Sequence, residues 1–214
     1  ISGQPAPEDC AQALRDLSGQ VDLAIDAGPA KLKQESSVLD LSVQPPRLLR
    51  EGFIKQADIE AVLKSKTVLF VCTGNSCRSV MAQAILEKIL KEKNRPDVRV
   101  LSAGIMMMAG LGASQETREL LRREGMDVSA HRSQRVTLDM IKRVDLILVM
   151  EKLQEEKILE MAPFAKNRLF LLKEFAKIEG NYLDIPDPIG RSFEFYEQTF
   201  GIIREAVERV AKII

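Results

Sequence analysis

The chain has 214 residues, and its 31 basic and 31 acidic side chains cancel to a net charge of zero. That balance supplies no long-range field towards nucleic acid or an anionic membrane surface. Hydrophobic residues make up 45% and charged residues 29%, an ordinary globular mixture, and no apolar run nears the roughly 20 residues that span a bilayer.

The length admits one large domain or two small ones. The opening ISGQPAPEDC has no basic stretch before an apolar core, so it does not read as a signal peptide. A start at Ile1 rather than at methionine points to a piece of something longer. Three cysteines (Cys10, Cys72 and Cys77) and one histidine (His131) are too few for a disulfide scaffold or a Cys/His metal site. No metal or cofactor is expected, and a reducing cytoplasm suits working thiols. The oligomeric state is not legible.

Up to about Lys66 the elements are short. Pro7-Glu8-Asp9 reads as a helix start before Ala11–Leu17, its acids well placed on the N-terminal dipole. Val21–Ile25 and Ser37–Leu41 read as short strands separated by a Gly28-Pro29 turn, and Ala57–Leu63 as a short helix. Apolar residues are too few here for an independent core.

From Thr67 the pattern changes. Thr67–Val71 (TVLFV) is a short β-rich run of the kind buried on both faces of a parallel sheet. A loop containing Gly74 follows, then a helix over Ser79–Lys93. Val98–Leu101, Leu146–Val149 and Leu169–Leu172 read as further strands. Helices are expected over Gln115–Glu124, ending near Gly125, and over Leu153–Met161. The last helix carries Tyr196, Phe200, Ile203, Val207, Val210 and Ile214 as a single apolar stripe. Strand and helix alternate, so the fold class is α/β, a mostly parallel sheet with helices on both faces.

Ligands of open parallel sheets bind beyond the carboxyl ends of the strands. The first such end reads Cys72-Thr73-Gly74-Asn75-Ser76-Cys77-Arg78-Ser79, directly before a helix. A loop entering a helix N-terminus presents free N–H groups and positive potential, which together hold an oxyanion. Gly74 suits backbone geometry that a side chain would obstruct, and Asn75 tolerates the left-handed region. Arg78 can grip two phosphate oxygens in a fork. A thiol in such a field is expected to ionise at neutral pH, and a thiolate beneath a cradled phosphate is placed for in-line attack. The Cys-x5-Arg spacing alone is weak, and a buried strand thiol is its bland alternative; the strand before and the helix after decide for chemistry. Asp187, in the proline- and glycine-restricted loop Asp184–Gly190, is the candidate acid for the leaving atom, against a plain Asp-Pro turn.

VLFVCTGNSCRS, then SAG at Ser102–Gly104, HRSQRVT from His131, DLILVM from Asp145 and the Asp187-Pro188 pair occur in order. Together they resemble the low-molecular-weight protein phosphatase family over about Lys66–Ile214. The resemblance implies a four-stranded parallel sheet, Cys72 as nucleophile, Arg78 as phosphate clamp, and Asp187 as general acid and then base for hydrolysis of a phosphocysteine. It implies that Asn75 and Ser79 shape the loop and hydrogen-bond the thiolate, with Thr73, Gly74 and Ser76 completing the phosphate cradle. His131 would buttress the loop through Asn75, a structural role. Cys77 matches a thiol that can shelter the nucleophile as a reversible disulfide, with plain loop packing as its alternative.

Departures bear on the substrate, which would be a phosphorylated protein. Val80 stands where the family usually has proline, Ile189 and Gly190 where its tyrosine phosphatases carry aromatics, and Met106-Met107-Met108 form the other wall. Losing a stacking ring costs phosphotyrosine about 0.5–1.5 kcal/mol. The loop run and the Asp-Pro-x-Gly ending are similar to the bacterial protein arginine phosphatase branch, which typically has threonine at the Ser76 position. Phosphoarginine and phosphotyrosine both stay open. The N-terminal ISGQPAPEDCAQAL, ESSVLDL and PPRLLREG resemble the end of a YrdC-like threonylcarbamoyl-adenylate synthase, giving 1–65 as a fragment of that domain and 66–214 as the phosphatase domain. The synthase's nucleotide site would lie upstream, so no synthase activity is expected from this piece. Two other functions compete: a thiol-based arsenate reductase, which needs later cysteines that do not follow Cys77, and a non-catalytic oxyanion-binding module.

Overall fold

The structure is a computed structural model that describes residues 6–17, 19–106 and 110–214. It divides into two compact units, Ile1–Lys64 and Ser65–Ile214. In the first, helix α1 (Cys10–Asp16) begins at Asp9, whose carboxylate accepts from the Gln12 N–H. Strands β1 (Val38–Asp40) and β2 (Arg47–Arg50) pair antiparallel, and helix α2 (Gln56–Lys64) follows. Neither helix buries a residue, in keeping with the thin apolar content.

Val21–Ile25 is not a strand. It runs as irregular chain, with Leu23 80% and Ile25 87% exposed. Apolar alternation stabilises a strand only through cross-strand partners, and this segment pairs with none among the described residues.

The second unit holds β3 (Lys66–Cys72), β4 (Val98–Gly104), β5 (Leu146–Val149) and β6 (Leu169–Leu171) in one parallel sheet, ordered β4-β3-β5-β6. Helix α3 (Arg78–Glu92) leaves the end of β3; α4 (Gln115–Arg123), α5 (Leu138–Arg143), α6 (Lys152–Met161), the single turn α7 (Leu172–Phe175) and α8 (Phe193–Ile213) complete it. Leu172, expected to close the last strand, instead opens α7.

The period-two alternation of β3 divides the core. Val68, Phe70 and Cys72 join α3 and α8 on one face; Leu69 and Val71 join Ile141 of α5 and Ile158 of α6 on the other. The α8 stripe of Tyr196, Phe200, Ile203, Val207 and Val210 is buried along one side of that helix. Because β3 is interior to the sheet, its carboxyl end is flanked by the ends of β4 and β5, and the site assembles there.

Candidate active site

Cys72 is the last residue of β3 and only 3% exposed. Its Sγ lies 3.0 Å from Ser79 Oγ in the first turn of α3. That hydroxyl accepts from Asn75 Nδ2 at 3.0 Å, which leaves its own hydrogen available to the sulfur. Asn75 takes the left-handed conformation at φ +53° and is fully buried. Its amide also donates to Ser102 Oγ at 2.9 Å, and its Oδ1 accepts from the Gln134 N–H at 2.9 Å. His131 Nε2 meets the Asn75 carbonyl at 2.8 Å. Residues from β4 and from the His131–Gln134 segment thus converge on one asparagine.

The steric need for glycine falls elsewhere than on Gly74. A Cβ on Gly74 would meet only Ser76 Oγ, at 3.6 Å, an ordinary contact. A Cβ on Gly104 would sit 2.7 Å from the Thr73 carbonyl oxygen and 3.0 Å from both Asn75 N and Gly74 C. The loop packs against the end of β4, tied by Ile105 N–H to the Cys72 carbonyl at 3.0 Å and Met106 N–H to the Thr73 carbonyl at 3.1 Å. The glycine of the SAG motif is what admits the loop.

Arg78 is 1% exposed, and its guanidinium is held from several sides. Nη1 donates to the Ile185 carbonyl at 2.8 Å and pairs with Glu151 Oε2 at 2.7 Å. Nη2 reaches Thr73 Oγ1 at 3.3 Å and Asp187 Oδ2 at 2.5 Å. Among the described residues Nε has no hydrogen-bond partner, so a buried donor is left to whatever enters beside it. The Asp187 loop is fixed to the end of β5 by the Ile185 N–H, which donates to the Met150 carbonyl at 2.7 Å.

Glu151 and Gln154 escaped the sequence reading. Both lie just past β5, where Glu151 caps α6 and Gln154 is its third residue. The end of a strand next to β3 was the available signal.

Cys72, Thr73, Gly74, Ser76, Cys77, Arg78 and Asp187 line one cavity of about 250 Å³, walled further by Met106, Leu111 and Ile189. Met107 and Met108 lie outside the described residues. Asn75, Ser79 and His131 stand behind the lining as supports. Cys77 and Cys72 are both free thiols; Cys77 Sγ lies 3.6 Å from Tyr196 Oη on α8 and 3.5 Å from Ser76 Oγ. Burial pushes the Tyr196 phenol well above the usual tyrosine range; a hydrogen bond with Ser114 opposes the shift and Cys77 adds to it. No group of three or more His, Cys, Asp or Glu able to hold a metal occurs among the described residues. No helix among them is long and apolar enough to cross a membrane.

Comparison with known proteins gives two family matches: low molecular weight phosphotyrosine protein phosphatase over residues 67–214, and the Sua5/YciO/YrdC family described as telomere recombination over residues 1–52. A probable low molecular weight protein-tyrosine-phosphatase, EpsP of Ralstonia nicotianae, is 37% identical over 143 residues, covering 67% of this chain and 92% of that protein. A protein-arginine-phosphatase of Geobacillus stearothermophilus is 37% identical over 145 residues, covering 68% and 93%. A solved structure of the YwlE arginine phosphatase, a Cys-to-Ser mutant with a phosphorylated active-site serine, matches with a TM-score of 0.64 at 29% identity, covering 68% and 93%. The strand-end loop, the four-stranded parallel sheet behind it and these matches agree, and the chain belongs to the low molecular weight phosphotyrosine protein phosphatase family.

Proposed function

We propose that the chain is a cysteine-dependent protein phosphatase in which Cys72 is the nucleophile, Arg78 the phosphate clamp, and Asp187 the general acid and then base. The observation that carries this reading is the meeting of all three on one cavity of about 250 Å³ at the end of an interior strand. The Cys72 thiolate attacks phosphorus, and the bond to the leaving oxygen or nitrogen breaks as Asp187 gives that atom a proton. Loop N–H groups at the start of α3 and the Arg78 guanidinium hold the phosphoryl oxygens. Asp187, now a carboxylate, takes a proton from water as it attacks the phosphocysteine, and phosphate leaves with the thiolate restored. The phosphorylated active-site serine of the YwlE mutant supports such a covalent route.

Substrates are phosphorylated proteins, and the phosphorylated residue is arginine or tyrosine, as in the two relatives. The walls favour phosphoarginine. Met106, Leu111 and Ile189 are aliphatic, and no aromatic ring is among the described lining residues. A phosphotyrosine ring gains nothing from stacking there, whereas an arginine stem needs only apolar surface. Comparing kcat/KM on phosphoarginine and phosphotyrosine peptides, with Cys72→Ser as control, tests both steps. Equal turnover by the control removes Cys72 from the mechanism, and a strong preference for phosphotyrosine overturns the substrate assignment.

Residues 1–65 are, in this reading, the C-terminal fragment of a YrdC-like domain joined to a phosphatase domain at 66–214. We expect no synthase activity from residues 1–65, and ATP-dependent threonylcarbamoyl transfer by this chain would refute that. The cytoplasm is the proposed compartment, because the thiol chemistry needs a reduced Cys72.

A further inference from the structure

Gln154 is completely buried, polar, and used by no step of the chemistry above. Its Oε1 accepts from the Met150 N–H at 2.8 Å and the Glu151 N–H at 3.0 Å, which fastens the end of β5 to the start of α6. Its Nε2 does something different. It donates to Glu151 Oε2 at 2.6 Å and to Thr73 Oγ1 at 3.2 Å.

Those two oxygens also accept from Arg78, beside the Ile185 carbonyl and Asp187. Glu151 Oε2 takes Nη1 at 2.7 Å and Thr73 Oγ1 takes Nη2 at 3.3 Å. The contacts close a ring that runs from Nη1 through Glu151, Gln154 and Thr73 back to Nη2. A guanidinium gripped at both terminal nitrogens by one closed ring cannot rotate about its Nε–Cζ bond without breaking a contact. Its remaining donor, Nε, is the buried one that no described residue accepts.

We propose that Gln154 is a positioning residue: its side-chain amide sets the plane of the Arg78 guanidinium, and so the direction in which Arg78 meets a phosphoryl group. The inference rests on the phosphatase reading and extends it to a residue that never touches substrate. Two physical points favour a positioning role over simple packing. A carboxylate and a hydroxyl beside a guanidinium could each adopt several orientations, and a single NH2 donor to both selects one. Preorganised donors matter most where charge develops in the transition state, and a displacement of about 1 Å there can cost about 10²-fold in rate.

Gln154→Glu separates the two duties. A glutamate keeps an oxygen for the Met150 and Glu151 N–H groups, so the start of α6 stays capped, but it loses the NH2 donor and sets a second carboxyl against Glu151. Gln154→Ala removes both duties. The full chain and both variants are compared by thermal melting, by calorimetric titration with inorganic phosphate, and by kcat and KM on an aryl phosphate well below each melting temperature. The expected result for Gln154→Glu is a lowered melting temperature, because a buried carboxyl then faces Glu151, together with weaker phosphate binding and a kcat lowered by about 10²-fold at temperatures where the variant is still folded. Wild-type phosphate affinity and kcat in Gln154→Glu overturn the proposal. So does a loss that scales only with the fall in melting temperature across the two variants. Phosphate titration requires no turnover, so a wild-type chain that binds phosphate but hydrolyses nothing sinks the phosphatase reading, while the affinity difference still decides the role of Gln154.

Discussion

Arg78 Nη2 and Asp187 Oδ2 lie 2.5 Å apart although 109 positions separate the two residues in the chain. The guanidinium that starts α3 therefore holds the loop carrying the candidate acid. A second hold comes from the Ile185 carbonyl, which accepts Nη1 at 2.8 Å. The loop after β3 and the loop carrying Asp187 are joined through one buried side chain, so a change at Arg78 disturbs both.

Asp187→Asn separates the clamp from the proton. An asparagine oxygen still accepts from Arg78, but the side chain has no acidic proton to give. The rate of phosphocysteine formation is expected to fall by about 10²–10⁴ on poor leaving groups and much less on good ones. A series of aryl phosphates graded by leaving-group acidity, read as kcat/KM, measures the difference in slope. A parallel drop across the whole series would remove Asp187 as the proton donor.

Gly104→Ala is expected to displace the Thr73–Asn75 backbone from behind. The new Cβ would lie 2.7 Å from the Thr73 carbonyl oxygen, and backbone cannot step aside as the end of a side chain can. Overpacking of this kind costs about 1–3 kcal/mol. Gly74→Ala, whose Cβ meets only Ser76 Oγ at 3.6 Å, should leave the melting temperature nearly unchanged. Denaturant titration of the two variants together checks the contrast.

Most of the second unit could be read from pattern because its elements declare themselves locally. β3 carries an unbroken apolar run from Val68 to Cys72, and the α8 stripe repeats at helical spacing over 21 residues. Helix α5 was missed because it spans only 6 residues, although Thr137, whose side chain accepts from the Met140 N–H, is an ordinary start signal. Val21–Ile25 was misread because propensity carries no knowledge of a partner strand. Cys72 and Arg78 were legible within one loop. Glu151 and Gln154 were not, since only the pairing of β5 with β3 brings Glu151 to Arg78 and Gln154 to Thr73. Gly104 sat inside a recognised motif, but only the approach of the loop backbone reveals why a side chain is excluded there.

Asn75→Ala should cost more stability than any other single change in the loop. Alanine at φ +53° is disfavoured by about 1–2 kcal/mol. The part-buried Gln134 N–H loses its acceptor, which costs at most about 1–3 kcal/mol. Asn75→Asp keeps the backbone tolerance and the acceptor but not the two donors to Ser79 and Ser102, so it is expected to fall between wild type and Asn75→Ala. Urea unfolding curves for the three proteins rank them. An Asn75→Ala protein as stable as wild type would mean that the loop is held by other contacts.

Tyr196 gives the fold a dependence on alkaline pH. Burial raises the phenol above its ordinary value, so the neutral form is the one the fold favours. An acid whose folded pKa is raised contributes stability that is complete below its unfolded pKa of about 10 and is lost as pH climbs towards the folded value. Above pH 10 the unfolded chain releases this proton and the folded chain keeps it, which favours unfolding by up to about 1.4 kcal/mol per pH unit. Tyr196→Phe removes the titration along with the contact to Cys77 Sγ at 3.6 Å. The variant is expected to be somewhat less stable than wild type at neutral pH and to lose less stability between pH 9 and 11. Tyr182, the second tyrosine, is 83% exposed and serves as the control, since Tyr182→Phe should leave the alkaline slope as it was. Equal slopes for wild type and Tyr196→Phe would show that the buried phenol ionises as readily in the fold as outside it.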